Sequence, residues 1–149
     1  AASDVYKRQV MGHGHFASGI VSSLELITGQ QEKVTAIDFT AEMTATDVED
    51  QLSQALVPEE ETLILCDLLG GTPFKVAATL MESRPQTKWN VLAGLNLTML
   101  IEASFARQTA ASFDDLVTTL LTSSKEGIVD WQSLSQQEDD AITDDLGGI

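Results

Sequence analysis

The chain is short of basic residues, of cysteine and of long apolar runs, and each shortage closes off something. Eight Lys and Arg stand against 23 Asp and Glu, a formal net charge of −15. Such a chain repels nucleic acid and anionic lipid, so neither is expected as a general partner, whereas a basic protein face is drawn to it over some distance. Cys66 is the single cysteine. It makes no intramolecular disulfide, which fits a reducing cytoplasm, and inside an apolar run it reads as a small buried hydrophobe. No apolar stretch approaches the ~20 residues of a membrane span, and no signal peptide is evident. A phosphate loop ending in Gly-Lys-Ser/Thr is missing, which counts against ATP as the phosphoryl source. A Gly-x-Ser-x-Gly nucleophile elbow is missing, which counts against an α/β-hydrolase. No obvious set of metal ligands is evident, and no cofactor is expected. There is no internal repeat, and 149 residues hold one domain with a real core.

What is present is organised around Thr62-Leu63-Ile64-Leu65-Cys66-Asp67-Leu68-Leu69-Gly70-Gly71-Thr72-Pro73-Phe74. The apolar run reads as a strand buried on both faces, closed by an Asp. A glycine pair turns the chain, and Thr72 as N-cap with Pro73 at the first helical position opens a helix. A glycine turn beneath a helix N-terminus leaves N–H groups aimed at open space, where an anion, phosphate above all, is held.

The remaining segments alternate in the same way. Val5 to Met11 is a weak first strand, interrupted by Lys7, Arg8 and Gln9, and Gly12-His13-Gly14-His15 is a loop. Phe16, Ile20, Leu24 and Ile27 mark a helix over Phe16 to Thr28, stopped by Gly29. Val34 to Phe39 is a strand. A helix starts at Thr46, with Glu49 completing a capping box, and shows Val48, Leu52, Ala55 and Leu56 on one face. Pro58 and the solvated Glu59-Glu60-Glu61 loop lead into the strand at Thr62. The third helix runs from Pro73 to about Glu82, and Trp89 to Ala93 is a strand. Asn96 to Ala106 is helical. Ser112 caps a fifth helix to about Lys125, broken by Gly127, and Ile128 to Trp131 is a last short strand. From Ser135 the tail is acidic, without a basic residue, and is expected to be disordered or a loosely held flap.

Four strand–helix alternations predict an α/β fold: one doubly wound, three-layer domain on a mainly parallel sheet. Ligands of such sheets sit beyond the strands' carboxyl ends, where strand order reverses. If strands one and three are neighbours there, Gly12-His13-Gly14 and Asp67 to Thr72 meet in one crevice. An imidazole is a nucleophile toward phosphorus, largely unprotonated near neutrality. A carboxylate on its other nitrogen fixes the tautomer and supports the positive charge that develops. The Thr72 hydroxyl and nearby N–H groups hold the phosphoryl oxygens. Phosphoryl transfer asks mainly for such positioning and charge stabilisation.

Gly12-His13-Gly14-His15-Phe16-Ala17-Ser18-Gly19, Ala36-Ile37-Asp38-Phe39, Asp67-Leu68-Leu69-Gly70-Gly71-Thr72-Pro73-Phe74 and Val91-Leu92-Ala93-Gly94-Leu95-Asn96-Leu97 resemble the enzyme IIA component of the mannose family of the bacterial sugar phosphotransferase system. The likeness covers about Val10 to Trp131, and its first and third blocks look most like the N-acetylgalactosamine/galactosamine branch. The resemblance implies a cytoplasmic phosphocarrier, a phosphotransferase component. It takes a phosphoryl group from phospho-HPr on His13 and passes it to the IIB component, which phosphorylates the sugar as the membrane subunits IIC and IID import it. In the family pattern His13 matches the phosphorylated histidine and Asp67 its carboxylate partner. Thr72, Gly71 and Gly14 match or adjoin the phosphoryl-binding positions. The family is a homodimer whose last strand, here Gly127 to Trp131, crosses antiparallel to the partner's sheet.

The domain is therefore expected over residues 10–131, with 1–9 a foreign extension and 132–149 an acidic tail. Lys75 departs from many relatives, which carry Asn there. Lys7 and Arg8 would be costly inside a central strand, so that strand is expected to be short or its first residues to protrude. Plainer readings stand beside the sharper ones. His15 lines the rim, with a second acceptor or a metal pair with His13 as alternatives. Asp38 is a turn acid or a helix-facing polar group. The competing functions are a regulatory module that senses phosphorylation state and the phosphoryl-donor subunit of dihydroxyacetone kinases.

Overall fold

The computed structural model describes residues 6–106 and 110–137. Strand β3 (Thr62–Cys66) is buried at every position, as a strand covered on both faces must be. It pairs in parallel with β1 (Lys7–His13) on one side and β4 (Trp89–Leu92) on the other, and β1 pairs in parallel with β2 (Val34–Phe39). The order is β2-β1-β3-β4, so the chain winds one way from β1 to β2 and the other way through β3 and β4. Strand order reverses between β1 and β3, which is the condition under which the loops after these two strands share one crevice.

Side chains alternate across the sheet. Val10, Leu63 and Leu65 pack with Leu24 of α1 (Phe16–Thr28), Leu100 of α4 (Leu97–Phe105) and Leu120 of α5 (Phe113–Glu126). Met11, Ile64 and Cys66 pack on the opposite face with Val48 and Leu52 of α2 (Ala45–Ala55) and Ala77 and Leu80 of α3 (Thr72–Glu82). Fully burying one such large apolar side chain contributes about 1.5–3 kcal/mol, which is why one shifted register would be so costly. The three-layer α/β architecture is the expected one, with four parallel strands and six helices among the described residues. None of those helices is long and apolar enough to cross a membrane.

Several helix ends follow the sequence, and two differ. Ser112 Oγ accepts from the Asp115 N–H at 3.1 Å and caps α5. The capping box of α2 is built two residues early, by Thr44 and Asp47 rather than Thr46 and Glu49. The Asp47 N–H donates to Thr44 Oγ1 (3.2 Å) and the Thr44 N–H to Asp47 Oδ2 (2.8 Å). Helix α3 takes Gly71 as its N-cap, with Thr72 already the first helical residue. The Thr72 hydroxyl is thus not used as the N-cap.

Strand β1 contradicts the expectation that it is short or frayed. Arg8 and Gln9 are completely buried, and the packed unit begins by Tyr6 rather than at Val10. Arg8 escapes penalty by pairing: Nη1 donates to Ser104 Oγ (2.9 Å), Nη2 to the Glu32 carbonyl (2.6 Å), and the guanidinium lies over the Tyr6 ring. The Gln9 amide and Thr35 exchange hydrogen bonds. Lys7 reaches the Ala55 carbonyl.

The expected last strand is also different. After Gly127 the segment 128–130 is irregular, and α6 (Trp131–Gln137) follows. A strand needs a partner ladder, which the described residues do not give this segment. The Asp130 carboxylate instead accepts the Ser133 N–H at 3.1 Å and turns the chain into a helix. Of the expected tail, 132–137 is helical, while Glu138 and everything beyond it, like residues 1–5, lies outside the described residues.

Candidate functional site

His13 is the last residue of β1, and Asp67 is the first residue past β3. Because the two strands are neighbours in register, with Met11 opposite Cys66, their ends arrive side by side. His13 Nδ1 lies 2.8 Å from Asp67 Oδ2, and the His13 backbone N–H donates to the same oxygen at 2.9 Å. Burial raises the Asp67 carboxyl pKa. The two hydrogen bonds from His13 and the charge of its ring outweigh that and hold it below its ordinary value. The carboxylate is therefore anionic near neutrality, so in the neutral imidazole Nδ1 carries the proton and the lone pair is on Nε2.

What Nε2 faces follows from Gly71. A Cβ on Gly71 would stand 2.6 Å from His13 Cε1 and 3.3 Å from Nε2. The imidazole thus lies against the backbone at the N-terminus of α3, and only glycine leaves room for it. The first amides of that helix have no intrahelical acceptor, and its dipole presents positive charge. Phe39, the last residue of β2, sets its ring edge-to-face with the imidazole at 5.8 Å between centroids. His13 remains 43% exposed while Asp67 is 14% exposed. The acid is sheltered and the nucleophile is accessible.

The residues singled out in the sequence do not all stand equally close to the reacting nitrogen. His13, Asp67 and Gly71 are brought together, and Thr72 is next to Gly71 on the first turn of α3. Gly14 turns the chain away with φ of +59°, and its N–H is committed to the Phe39 carbonyl at 2.8 Å. Cys66 is buried, and its thiol is pushed up to about 12, by burial first and then by the adjacent Asp67 charge. It stays a thiol. The contact of Phe39 with the imidazole is not legible in the sequence, because a strand-end Phe carries no sign of what it will touch.

Asp38, opposite Gly12 in the register, has a helix-facing role. It accepts the Ser18 N–H at Oδ1 (2.9 Å) and the Ser18 hydroxyl at Oδ2 (2.6 Å), capping α1 from a neighbouring strand. Its Oδ2 also meets His15 Nδ1 at 3.2 Å. Burial raises its pKa, and the bonds from Ser18 and His15 overcome this and lower it. Among the described residues no three His, Cys, Asp or Glu gather as a metal cage.

The arrangement suits an imidazole that accepts an electrophile at Nε2 while an acid supports the ring charge. Comparisons with known proteins give the family. The family profile EIIA-man, described as PTS system fructose IIA component, matches residues 10–121. The chain is 32% identical over 119 residues to the mannose-specific EIIAB component of Escherichia coli, covering 78% of this chain and 36% of that protein, so it spans about a third of that relative. It is 31% identical over 120 residues to the fructose-specific EIIA component of Bacillus subtilis, covering 78% of this chain and 80% of the relative. Among solved structures, a phosphotransferase system component EIIA from Streptococcus agalactiae superposes with a TM-score of 0.82 at 46% identity, covering 87% of this chain and 99% of that one. A mannose/sorbose-specific IIA subunit from Enterococcus faecalis superposes with a TM-score of 0.77 at 30% identity, covering 85% and 94%.

Proposed function

This chain belongs to the EIIA-man family of phosphotransferase-system IIA components, and on that premise we propose that it is a phosphocarrier charged by phospho-HPr on His13 and discharged to a IIB component. The observation that carries the reading is the His13–Asp67 pair at 2.8 Å with Nε2 against Gly71 at the head of α3. The Nε2 lone pair forms the new N–P bond as the N–P bond of the donor's phosphohistidine breaks. The donor ring keeps its own N–H and leaves as neutral imidazole. The positive charge appears on the His13 ring, across the hydrogen bond from Asp67. No proton changes hands, and the step runs in reverse toward IIB. The amides of α3's first turn and the Thr72 hydroxyl receive the phosphoryl oxygens, and Gly71, whose own N–H is held by the Leu68 carbonyl at 3.2 Å, leaves room for the ring beside them. Gly14 contributes by shaping the turn, since its N–H is spent on Phe39.

The net charge of −15 favours partners that present a basic face, as HPr is proposed to do. The protein acts in the cytoplasm, serving IIC and IID only through IIB. The N-acetylgalactosamine-type branch rests on the forms of the Gly12 to Gly19 and Asp67 to Phe74 blocks. The sugar itself is set by the membrane subunits, which IIA serves without touching sugar. The chain works as a homodimer in which Gly127 to Trp131, irregular and then helical in the single chain, extends as a strand on the partner's sheet. What supports this is the exposure of Ile128, Val129 and Trp131, at 74%, 59% and 60%, which leaves apolar surface to be covered.

The test is incubation with enzyme I, HPr and phosphoenolpyruvate, followed by intact mass and by transfer to a IIB component. The protein should take up a phosphoryl group rapidly and hand it on. His13→Ala should lose both the rapid uptake and the hand-over. A wild-type chain that takes up no phosphoryl group would leave the regulatory module as the reading.

A further inference from the structure

The exit of β1 carries two histidine–aspartate pairs, one on each flank. His13 turns toward β3 and meets Asp67; His15, two residues on, turns toward β2 and meets Asp38. The acids sit at matching levels. Gly12 of β1 is opposite Asp38, and Met11 is opposite Cys66, the residue before Asp67. In each pair Nδ1 faces an aspartate held anionic by hydrogen bonds, so in the neutral ring Nδ1 carries the proton and Nε2 the lone pair. The His15 side chain is 83% exposed, against 43% for His13.

From this repetition we propose that His15 is a second phosphoryl acceptor, slower than His13, charged by the same phosphohistidine donor; the identity of that donor rests on the phosphocarrier reading above. Capping α1 does not account for the imidazole, because Asp38 already caps that helix through both groups of Ser18. The two Cα atoms are at most about 7 Å apart, two residues of extended chain, so a donor docked over β1's exit reaches either ring with a small shift. The step balances as at His13. The N–P bond forms at His15 Nε2 as the donor's N–P bond breaks, the donor ring leaves neutral with its own N–H, and the new ring charge faces Asp38.

What makes His15 slower is also in the geometry. The Ser18 N–H and hydroxyl are spent on Asp38 instead of on phosphoryl oxygens, and a ring this exposed keeps water around the reacting group. Losing preorganised donors of this kind costs about 10²–10³-fold.

The test uses the full chain with two donors: phospho-HPr regenerated by enzyme I and phosphoenolpyruvate, and phosphoramidate, which needs no docking surface. Intact mass and site mapping under alkaline conditions follow wild type, His13→Gln, His15→Gln and the double variant. Folding is checked by circular dichroism. On long incubation wild type should acquire a second phosphoryl group that maps to His15 and is absent in His15→Gln. His13→Gln should take up one group about 10²–10³-fold more slowly than wild type takes up its first, and the double variant none. Adding Asp38→Asn to His13→Gln should slow that uptake a further roughly 10–100-fold, the usual cost of losing a ring-orienting partner. The proposal is overturned if wild type is labelled on His13 while His13→Gln takes nothing from either donor, or if its label maps elsewhere. If wild type takes nothing from phospho-HPr, it is the carrier reading that falls. Phosphoramidate then decides alone: label on His15 sustains the acceptor and an unlabelled His15 removes it.

Discussion

At the scale of the residue, the site depends on one missing methyl group. Gly71 has φ −73° and ψ 167°, a conformation open to any residue, so Gly71→Ala strains no backbone. Its Cβ would nonetheless stand 2.6 Å from His13 Cε1 and push the ring off Asp67. Gly71→Ala should keep stability within about 1 kcal/mol and slow phosphoryl uptake by about 10²-fold, the cost of a misplacement near 1 Å. Thermal melting and initial uptake rates check the two halves. Asp67 gives a second separation of stability from chemistry. Its pKa is lowered in the folded state, so its contribution to stability is present above the unfolded value of about 3.9 and is lost as pH falls through the folded value. Asp67→Asn should therefore flatten the stability–pH curve below about pH 4 and slow uptake about 10–100-fold at neutral pH. Urea titrations across the acid range and uptake at pH 7 are the measurements. A variant with unchanged uptake would remove the carboxylate from the mechanism.

At the scale of the element, β1 is the informative case. A strand reading Lys7-Arg8-Gln9 looks unfit for the middle of a parallel sheet, yet it lies between β2 and β3 with Arg8 and Gln9 fully enclosed. Its long polar side chains find partners on α4, on β2 and in the loop before β2, none of them close in sequence. Arg8→Ala removes the stem as well as the charge, and should cost about 2–5 kcal/mol, in the range of large-to-small core changes. Arg8→Met keeps most of the volume and sheds the desolvated charge, so it should cost less. Ser104 Oγ then still donates to the Leu100 carbonyl at 3.2 Å. Urea denaturation of both variants gives the order. Equal losses would mean that the guanidinium's hydrogen bonds, and not its volume, hold the strand in place.

At the scale of the whole molecule, the question is what covers the apolar residues after α5. Ile128, Val129 and Trp131 stand in solvent in the single chain, in a protein whose charge of −15 otherwise keeps copies apart. The proposed strand exchange buries them in a second sheet. Sedimentation should find a dimer at micromolar concentration, and Trp131→Ala should weaken it by about 2 kcal/mol or more, as loss of a central interface tryptophan does. A chain that sediments as a monomer at every concentration would sink the exchange.

The sequence by itself determined the alternation of strands and helices, and it marked His13 and Asp67 as strand-end residues that would meet if the first and third strands were neighbours. Each of these rests on local patterns, apolar period and turn chemistry, and on the rule that places loci of chemistry beyond strand ends. Only the tertiary structure decided the rest. Whether a buried arginine is tolerated depends on acceptors 24 and 96 residues away, and no window of sequence contains them. The α2 cap fell on Thr44 rather than Thr46 because extended backbone at Thr44 and the short reach of Asp47 closed the box there, a choice between two locally acceptable starts. The second pair, His15 with Asp38, came from strand register, which sets residues from different turns of the chain side by side. Local pattern says which elements form, and long-range packing says which side chains they deliver to one another.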